Sequence, residues 1–258
     1  MKTLRYLLRA VRHPERVNSN LGLGRQLLLR PRIFDVVSCL MQLRDVRALA
    51  RLRNAAPNDS FYARVVDYNA GVTEKKVITT TRRAESYYQV LSLPPRDLGR
   101  ETLLVIGPRN VQELLLAWLN GYQWKNIQAI DLYSTNPKIH VMNMEAMTFA
   151  DGSFDAVVMS NTLAYARDTF QALSEVARVL KPNGRFVFGA TYFPQSQDWP
   201  GNRISGNEIR QMLRKLSLTV TFYHAVDKVN SLGGLQTAHI LAVQKTDPRN
   251  PGFDRIDW

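Results

Sequence analysis

One cysteine, Cys39, stands in the 258 residues. A single thiol excludes a disulfide framework and a cysteine-rich zinc site, and it suits a reducing compartment. The four histidines, His13, His140, His224 and His239, show no metal-ligand spacing such as HxxxH, so no metal is expected. No uncharged apolar run approaches the roughly 18 residues of a membrane span. GxGxxG is absent. So are a Tyr-xxx-Lys or His-Asp pairing, which removes most of the case for a nicotinamide-dependent oxidoreductase. Internal repeats and low-complexity tracts are missing too.

What is present is ordinary globular material, with 45% hydrophobic and 22% charged residues. That content can bury a core and excludes disorder as the main state. The net charge is +12, and it is unevenly placed. Residues 1–100 hold 19 Lys+Arg against 8 Asp+Glu, and the other 158 residues hold 15 against 14. The division expected is a basic, mainly helical extension or lid over residues 1–98 and a second, nearly neutral domain over 99–258.

In the basic part, Leu4, Leu7, Leu8 and Val11 fall on one helical face and Arg5, Arg9, Arg12 and Arg16 cluster on the other side, up to a stop near Pro14. Three readings stand for this segment: a helix packed on the body, a contact with an anionic membrane or other anionic partner, or an Arg-rich organelle transit peptide. Gly22 and Gly24 mark a linker. Residues 33–52 have helical period, with Phe34, Val37, Leu40 and Met41 inward and the arginines outward. Cys39 is read as core. Residues 55–60 read as a turn, 68–76 as a loop and 79–91 as a helix carrying the pair Tyr87-Tyr88. LPPRDLGR (93–100) is a boundary.

From residue 101 the pattern changes. Short apolar runs at 102–106, 127–132, 139–142, 154–160 and 185–190 read as buried strands. Helices are expected over 111–119, 168–180 and 205–216, the last opened by a capping box of Ser205 and Glu208. KPNG (181–184) reads as a helix-ending turn with Gly184 in the left-handed position. Runs at 218–224 and 237–244 give two final strands, paired antiparallel. Alternating strands and helices mean an α/β, doubly wound, mostly parallel sheet.

Such sheets bind ligands at the carboxyl ends of their strands. Gly107 ends the first strand. Asp131 ends the second, 24 residues later, where an acid can accept hydrogen bonds from two ribose hydroxyls; a strand-end turn residue is the plain alternative. Asn143-Met144 follows the third strand and Ser160-Asn161 the fourth. With those positions in order, residues 147–189, MTFADGSFDAVVMSNTLAYARDTFQALSEVARVLKPNGRFVFG, resemble the class I S-adenosylmethionine-dependent methyltransferases. The likeness covers about residues 100–245.

The resemblance implies a Rossmann-like, seven-stranded sheet with an antiparallel last strand, and the cofactor S-adenosyl-L-methionine laid across the first four strand ends. Gly107, Pro108 and Arg109 would form the cofactor loop, and Asp131 with Leu132 would hold the ribose. Asn143 and Met144 would meet the adenine, and Ser160 and Asn161 the methionine end. Tyr165 stands where relatives place an acceptor-facing residue, and Tyr192 and His224 are further polar candidates; each also reads as a structural side chain. Three departures stand out. The loop keeps one glycine, with Arg109 free to pair either the cofactor carboxylate or Glu113. Only residues 133–138 join the second and third strands, too few for a crossover helix, so part of the N-terminal hundred is expected to cover that face. Asn143 replaces an acid.

Methyl transfer from a sulfonium needs positioning more than a catalytic triad, and none is visible. The acceptor expected is a small molecule, glycan or lipid-like compound. Residues 1–53 add the expected contact with an anionic membrane or other anionic partner. Nucleic acid is less favoured, since SNTLAY stands where an NPPY-like motif would be. Localisation is expected to be cytoplasmic or peripheral at a membrane, with organelle targeting by residues 1–30 left open. The alternative is a non-catalytic scaffold that has lost its cofactor loop and binds an anionic partner through its basic half.

Overall fold

The computed structural model describes residues 27–46, 53–54, 58–75, 84–93, 96–134, 136–192, 205–229 and 235–246. The expected first helix, the Gly22/Gly24 linker and the C-terminal tail lie outside them.

Three helices precede the sheet: α1 (Pro31–Val46), α2 (Ser60–Lys75) and α3 (Glu85–Leu91), with a two-residue strand β1 (Arg53–Asn54) between the first two. Then come β2 (Leu103–Ile106), α4 (Val111–Leu119), β3 (Ile127–Asp131), β4 (Tyr133–Ser134), β5 (Ile139–Val141), β6 (Phe154–Met159), α5 (Thr169–Val179), β7 (Leu180–Tyr192), α6 (Gly206–Lys215), β8 (Leu218–Val229) and β9 (Leu235–Lys245). The main sheet has seven strands in the order β5-β3-β2-β6-β7-β9-β8. Neighbours from β5 to β7 are parallel, and β9 runs antiparallel to both β7 and β8. This is the doubly wound sheet with its last strand inserted antiparallel.

Strand periodicity splits the core in two. Leu103, Val105, Ile127, Ala129, Ala156 and Val158 face one side, with α1, α3 and α4. Leu104, Ile106, Ile130, Val157, Met159 and Phe188 face the other, with α5 and α6. Helix α4 is buried along all nine residues. Its sequence, VQELLLAWL, is apolar nearly all round, as a helix roofed on both sides must be. Gln112 and Glu113 are tolerated inside it, and Gln42 Nε2 of α1 donates to Gln112 Oε1 at 2.7 Å.

The β3–β5 crossover is short because β5 pairs only with the last three residues of β3, Ala129 to Asp131. The chain therefore retreats about 7 Å at strand rise, which seven residues span without a helix. The face left bare there is covered from the N-terminal part. β1 pairs antiparallel with β4, and Tyr62, Val65 and Val66 of α2 pack on Leu132 and Tyr133.

Four local expectations need correction. Residues 68–75 are not a loop but the second half of α2; the apolar positions Tyr62, Val65, Val66 and Asn69's bond to the Val65 carbonyl hold the helical register through a polar sequence. The left-handed residue of KPNG is Asn183 (φ 61°), not Gly184. Residues 181–184 bulge between Leu180, paired with Phe154, and Arg185, paired with Ala156, and Gly184 is needed because a Cβ there would lie 2.8 Å from the Lys181 carbonyl oxygen. Leu40 is exposed rather than inward. Cys39 is half-buried rather than core.

The capping box on α6 forms in full. Ser205 Oγ accepts from the Glu208 N–H at 3.3 Å, and Glu208 Oε2 accepts from the Ser205 N–H at 2.7 Å. Ser205→Ala is expected to lower unfolding stability by about 1 kcal/mol, read from urea midpoints at unchanged m-value. An unchanged midpoint would show that α6 is held by its Ile209 and Leu213 packing alone.

Candidate active site

β2, β3 and β6 end at about one level, because Ile106 pairs with both Ile130 and Met159, and β7, which runs on to Tyr192, passes that level where Phe188 pairs with Met159. The next residue on each strand therefore faces the same opening: Gly107, Asp131, Ser160 and Gly189.

Gly107 has φ +69° and its N–H donates to the Ile130 carbonyl at 2.8 Å. A Cβ here would stand 2.2 Å from Thr162 Cγ2 and 2.3 Å from Thr162 Oγ1. The turn needs glycine twice, for its dihedral and for the space Thr162 fills. Pro108 is buried and Arg109 partly so. Asn110 caps α4, its Oδ1 accepting from the Gln112 N–H at 3.0 Å.

Asp131 Oδ1 accepts from the Leu132 N–H at 2.7 Å. Burial lifts the carboxyl to about 7, and the nearby Glu113 pushes the same way; the Leu132 and Tyr133 N–H groups and Arg109 pull it down. Arg109 thus lies within electrostatic reach of Asp131. Perturbation by burial beside a like charge at a strand end is the pattern expected of a binding site.

Beyond β5, Met142 N–H donates to the Asp131 carbonyl at 2.9 Å. Asn143 Oδ1 accepts from the Glu145 N–H at 2.9 Å, and its side chain also bonds the Tyr62 hydroxyl. Met144 is buried against the α5 face of the sheet. This loop is clamped from below. Glu175 Oε2 accepts from the Met147 N–H at 2.7 Å, and Arg178 reaches the Met147 and Phe149 carbonyls and Asp151. Glu175 and Arg178 thereby have a job that sequence reading missed: they fix the loop carrying Asn143 and Met144.

Ser160 is 3% exposed, and its Oγ is buried with no hydrogen-bond partner. Asn161 follows in the left-handed region, φ 56°. Tyr165 ends a 3-10 turn, Leu163–Tyr165, and lies in the apolar cluster of α2, its ring centroid 6.5 Å from that of Tyr68. His224 is not brought in. It lies on β8, an exposed edge strand three neighbours from β6, about 14 Å away at usual strand spacing. The Tyr192 side chain lies outside the described residues.

Two tyrosines that sequence reading had not assigned reach this opening. Tyr62 Oη of α2 donates to Glu145 Oε1 at 2.7 Å, and that carboxylate also accepts from the Arg167 N–H at 2.7 Å. Arg167 in turn pairs with Asp59 and lies over the rings of Phe61 and Tyr62, 5.4 and 4.9 Å from their centroids. Helix α2 is so latched across the strand ends. Tyr87 of α3 points its hydroxyl at Gly189: a Cβ there would be 1.9 Å from Tyr87 Oη and 2.8 Å from Asn161 Oδ1. The signal available in sequence was the Tyr87-Tyr88 pair together with a glycine inside the fifth parallel strand.

Gly189→Ala is expected to cost about 1–2 kcal/mol, as overpacking does, and Tyr87→Phe, which lacks the hydroxyl, to recover only part of it in the double variant, because Tyr87 Cζ and Asn161 Oδ1 would each still lie 2.8 Å from the new Cβ. Thermal unfolding of the four proteins reads this, and additive losses would place Tyr87 Oη elsewhere.

Among known proteins, the family model described as "Methyltransferase domain" matches residues 119–188, from the end of α4 into β7. A ubiquinone/menaquinone biosynthesis C-methyltransferase, UbiE, of Hahella chejuensis is 35% identical over 94 residues, which is 35% of this chain and 37% of the relative. The UbiE of Rickettsia prowazekii is 33% identical over 97 residues, 38% of this chain and 36% of the relative. The chain thus matches little more than a third of the length of these curated relatives. Among solved structures, the Burkholderia thailandensis 1,6-didemethyltoxoflavin-N1-methyltransferase superposes with a TM-score of 0.56 at 16% identity, covering 72% of this chain and 88% of the other. Identity that low speaks to fold alone. The inserted antiparallel strand gives the sheet a Rossmann-like methyltransferase fold, and over the matched segment and the two UbiE-like stretches the chain is similar to class I, S-adenosylmethionine-dependent methyltransferases.

Proposed function

We propose that the chain binds S-adenosyl-L-methionine across the carboxyl ends of β2, β3, β5 and β6 and transfers its methyl group to a small-molecule, glycan or lipid-like acceptor. The observation that carries this reading is the pairing of Asp131 with the buried, unpartnered hydroxyl of Ser160 on either side of the Gly107 turn. A buried hydroxyl without a partner is costly unless a ligand completes it.

The residues present suit the group. Asp131 keeps acceptor capacity beyond its Leu132 and Tyr133 bonds, enough for two ribose hydroxyls. Leu132 and Met144 supply apolar surface, and Asn143 offers an amide. Gly107, Pro108 and Arg109 line the loop, with Arg109 available to a carboxylate. Ser160 and Asn161 border the methionine end. When bound, the cofactor supplies an electrophilic methyl on a sulfonium, so the protein's work is orientation and exclusion of water.

In this reading Tyr165 faces the acceptor from within the α2 cluster, and Tyr87 adds a hydroxyl beside Asn161. Helix α2, latched through Tyr62, Glu145, Arg167 and Asp59, keeps water from the strand ends. The lipid-like arm of the acceptor class gains support from the UbiE relatives, whose names place them in quinone biosynthesis.

The scaffold reading retains one specific observation: Thr162 fills the space over Gly107, where a closely bound ligand would approach. Incubation with methyl-labelled S-adenosylmethionine and fractionated lipids, glycans and polar metabolites separates the two. Label in one of these pools, lost in Asp131→Ala, is expected. Label in protein or nucleic acid overturns the acceptor class. No label together with no binding of S-adenosylhomocysteine supports the scaffold.

A further inference from the structure

Helix α1 is built inside out. Its buried face holds Phe34, Ser38, Met41 and Gln42, two of the four polar, packed on α4. On the opposite side Val36 (60% exposed), Leu40 (56%) and Leu43 (45%) stand at helical spacing, continued below the helix by Leu29 (50%). At 100° per residue these three helical positions fall within a stripe about 60° wide, about 180° from the centre of the buried face. Arg32 borders the stripe on one side and Arg44 on the other, and both are exposed. A helix that needed only to cover α4 would carry polar residues outward.

The outward stripe has the form of an interfacial helix: an apolar ridge flanked by arginines, with its other face anchored to protein. Charge says which surface it suits. Residues 1–100 carry nearly all of the molecule's net positive charge, and an anionic bilayer attracts each nearby arginine. No described helix is long and apolar enough to cross a membrane, so the contact would be peripheral. The position also fits. Gln42, near the C-terminal end of α1, bonds Gln112 in the first turn of α4, so α1 lies beside the rim of the strand-end opening.

We propose that the outward face of α1, Val36, Leu40 and Leu43 with Leu29, Arg32 and Arg44, docks the protein on an anionic lipid surface. This is independent of methyl transfer, since vesicle binding is read without cofactor or acceptor.

The test is co-sedimentation of the full chain with vesicles of phosphatidylcholine alone and with 30% phosphatidylserine, at two salt concentrations. Binding to the anionic vesicles, weakened by salt, is expected. Val36→Glu/Leu40→Glu is expected to weaken it at least tenfold while keeping the wild-type melting temperature, because both positions are exposed. Arg32→Gln/Arg44→Gln should lose roughly fivefold per arginine and most of the preference for phosphatidylserine. The proposal is overturned if the chain binds neither vesicle, if the glutamate variant binds like wild type, or if light scattering shows a dimer that the glutamate variant dissociates without any lipid binding.

Discussion

Asp131→Asn is expected to leave the chain folded, more heat-stable than wild type at pH 8, and about 100-fold weaker in binding S-adenosylhomocysteine. The two effects have one source. Burial holds the native carboxyl near 7, while in the unfolded chain it ionises near 4. Between those values the native state binds more protons than the unfolded one. The stability this group contributes is therefore complete below about pH 4, falls as pH rises through the window, and is gone above about pH 7. Asparagine has no such loss, so the melting-temperature advantage of the variant should grow from pH 4 to 7 and then level off. A bound ribose reverses the preference, because two hydroxyls donate to a carboxylate and such charge-assisted bonds contribute about 1.5–3 kcal/mol each at most. Wild-type affinity should then rise roughly tenfold from pH 6 to 8, and the variant's should stay flat. Calorimetry at three pH values checks both curves. Parallel profiles for the two proteins would remove Asp131 from the ribose.

Gly107→Ala is expected to cost about 3 kcal/mol of unfolding free energy and to abolish cofactor binding. A non-glycine residue at φ +69° costs about 1–2 kcal/mol, and the new Cβ meets Thr162 at its Cγ2, Oγ1 and Cβ, within 2.7 Å, where overpacking costs about 1–3 kcal/mol. Thr162→Gly removes all three contacts. The double variant should therefore recover the packing part but not the dihedral part, a coupling of about 1–2 kcal/mol in a double-mutant cycle. Urea unfolding of the four proteins measures it. Zero coupling would mean that the Gly107 turn moves away from Thr162 at no cost.

The sheet was legible because its signals are local. Four-to-six-residue apolar runs such as Leu103–Ile106 and Phe154–Met159 have few other uses, and Ser205 with Glu208 spells a helix start. The strand-end positions Gly107, Asp131, Asn143 and Ser160 followed once the strands were placed, and the structure brings Gly107, Asp131 and Ser160 to one level. What sequence did not carry was long-range. Helix α2 has almost no apolar excess of its own, so its second half reads as loop until Leu132, Tyr133 and Tyr165 supply a partner surface. Arg178 looks like any basic residue at a helix end, and only the folded loop shows it gripping the Met147 and Phe149 carbonyls. Tyr87 meets Gly189 across 102 residues of sequence. His224 failed as a candidate because strand order, not strand position, decides distance from the site.

The most direct measurement is isothermal titration of the purified chain with S-adenosylhomocysteine at pH 8, followed by hydrogen exchange of the free and saturated protein. Micromolar one-to-one binding, with new protection confined to residues 105–110, 129–133, 142–145 and 158–162, is the expected result. No binding by a chain shown to be folded, or binding with protection elsewhere, would contradict a cofactor site at these strand ends.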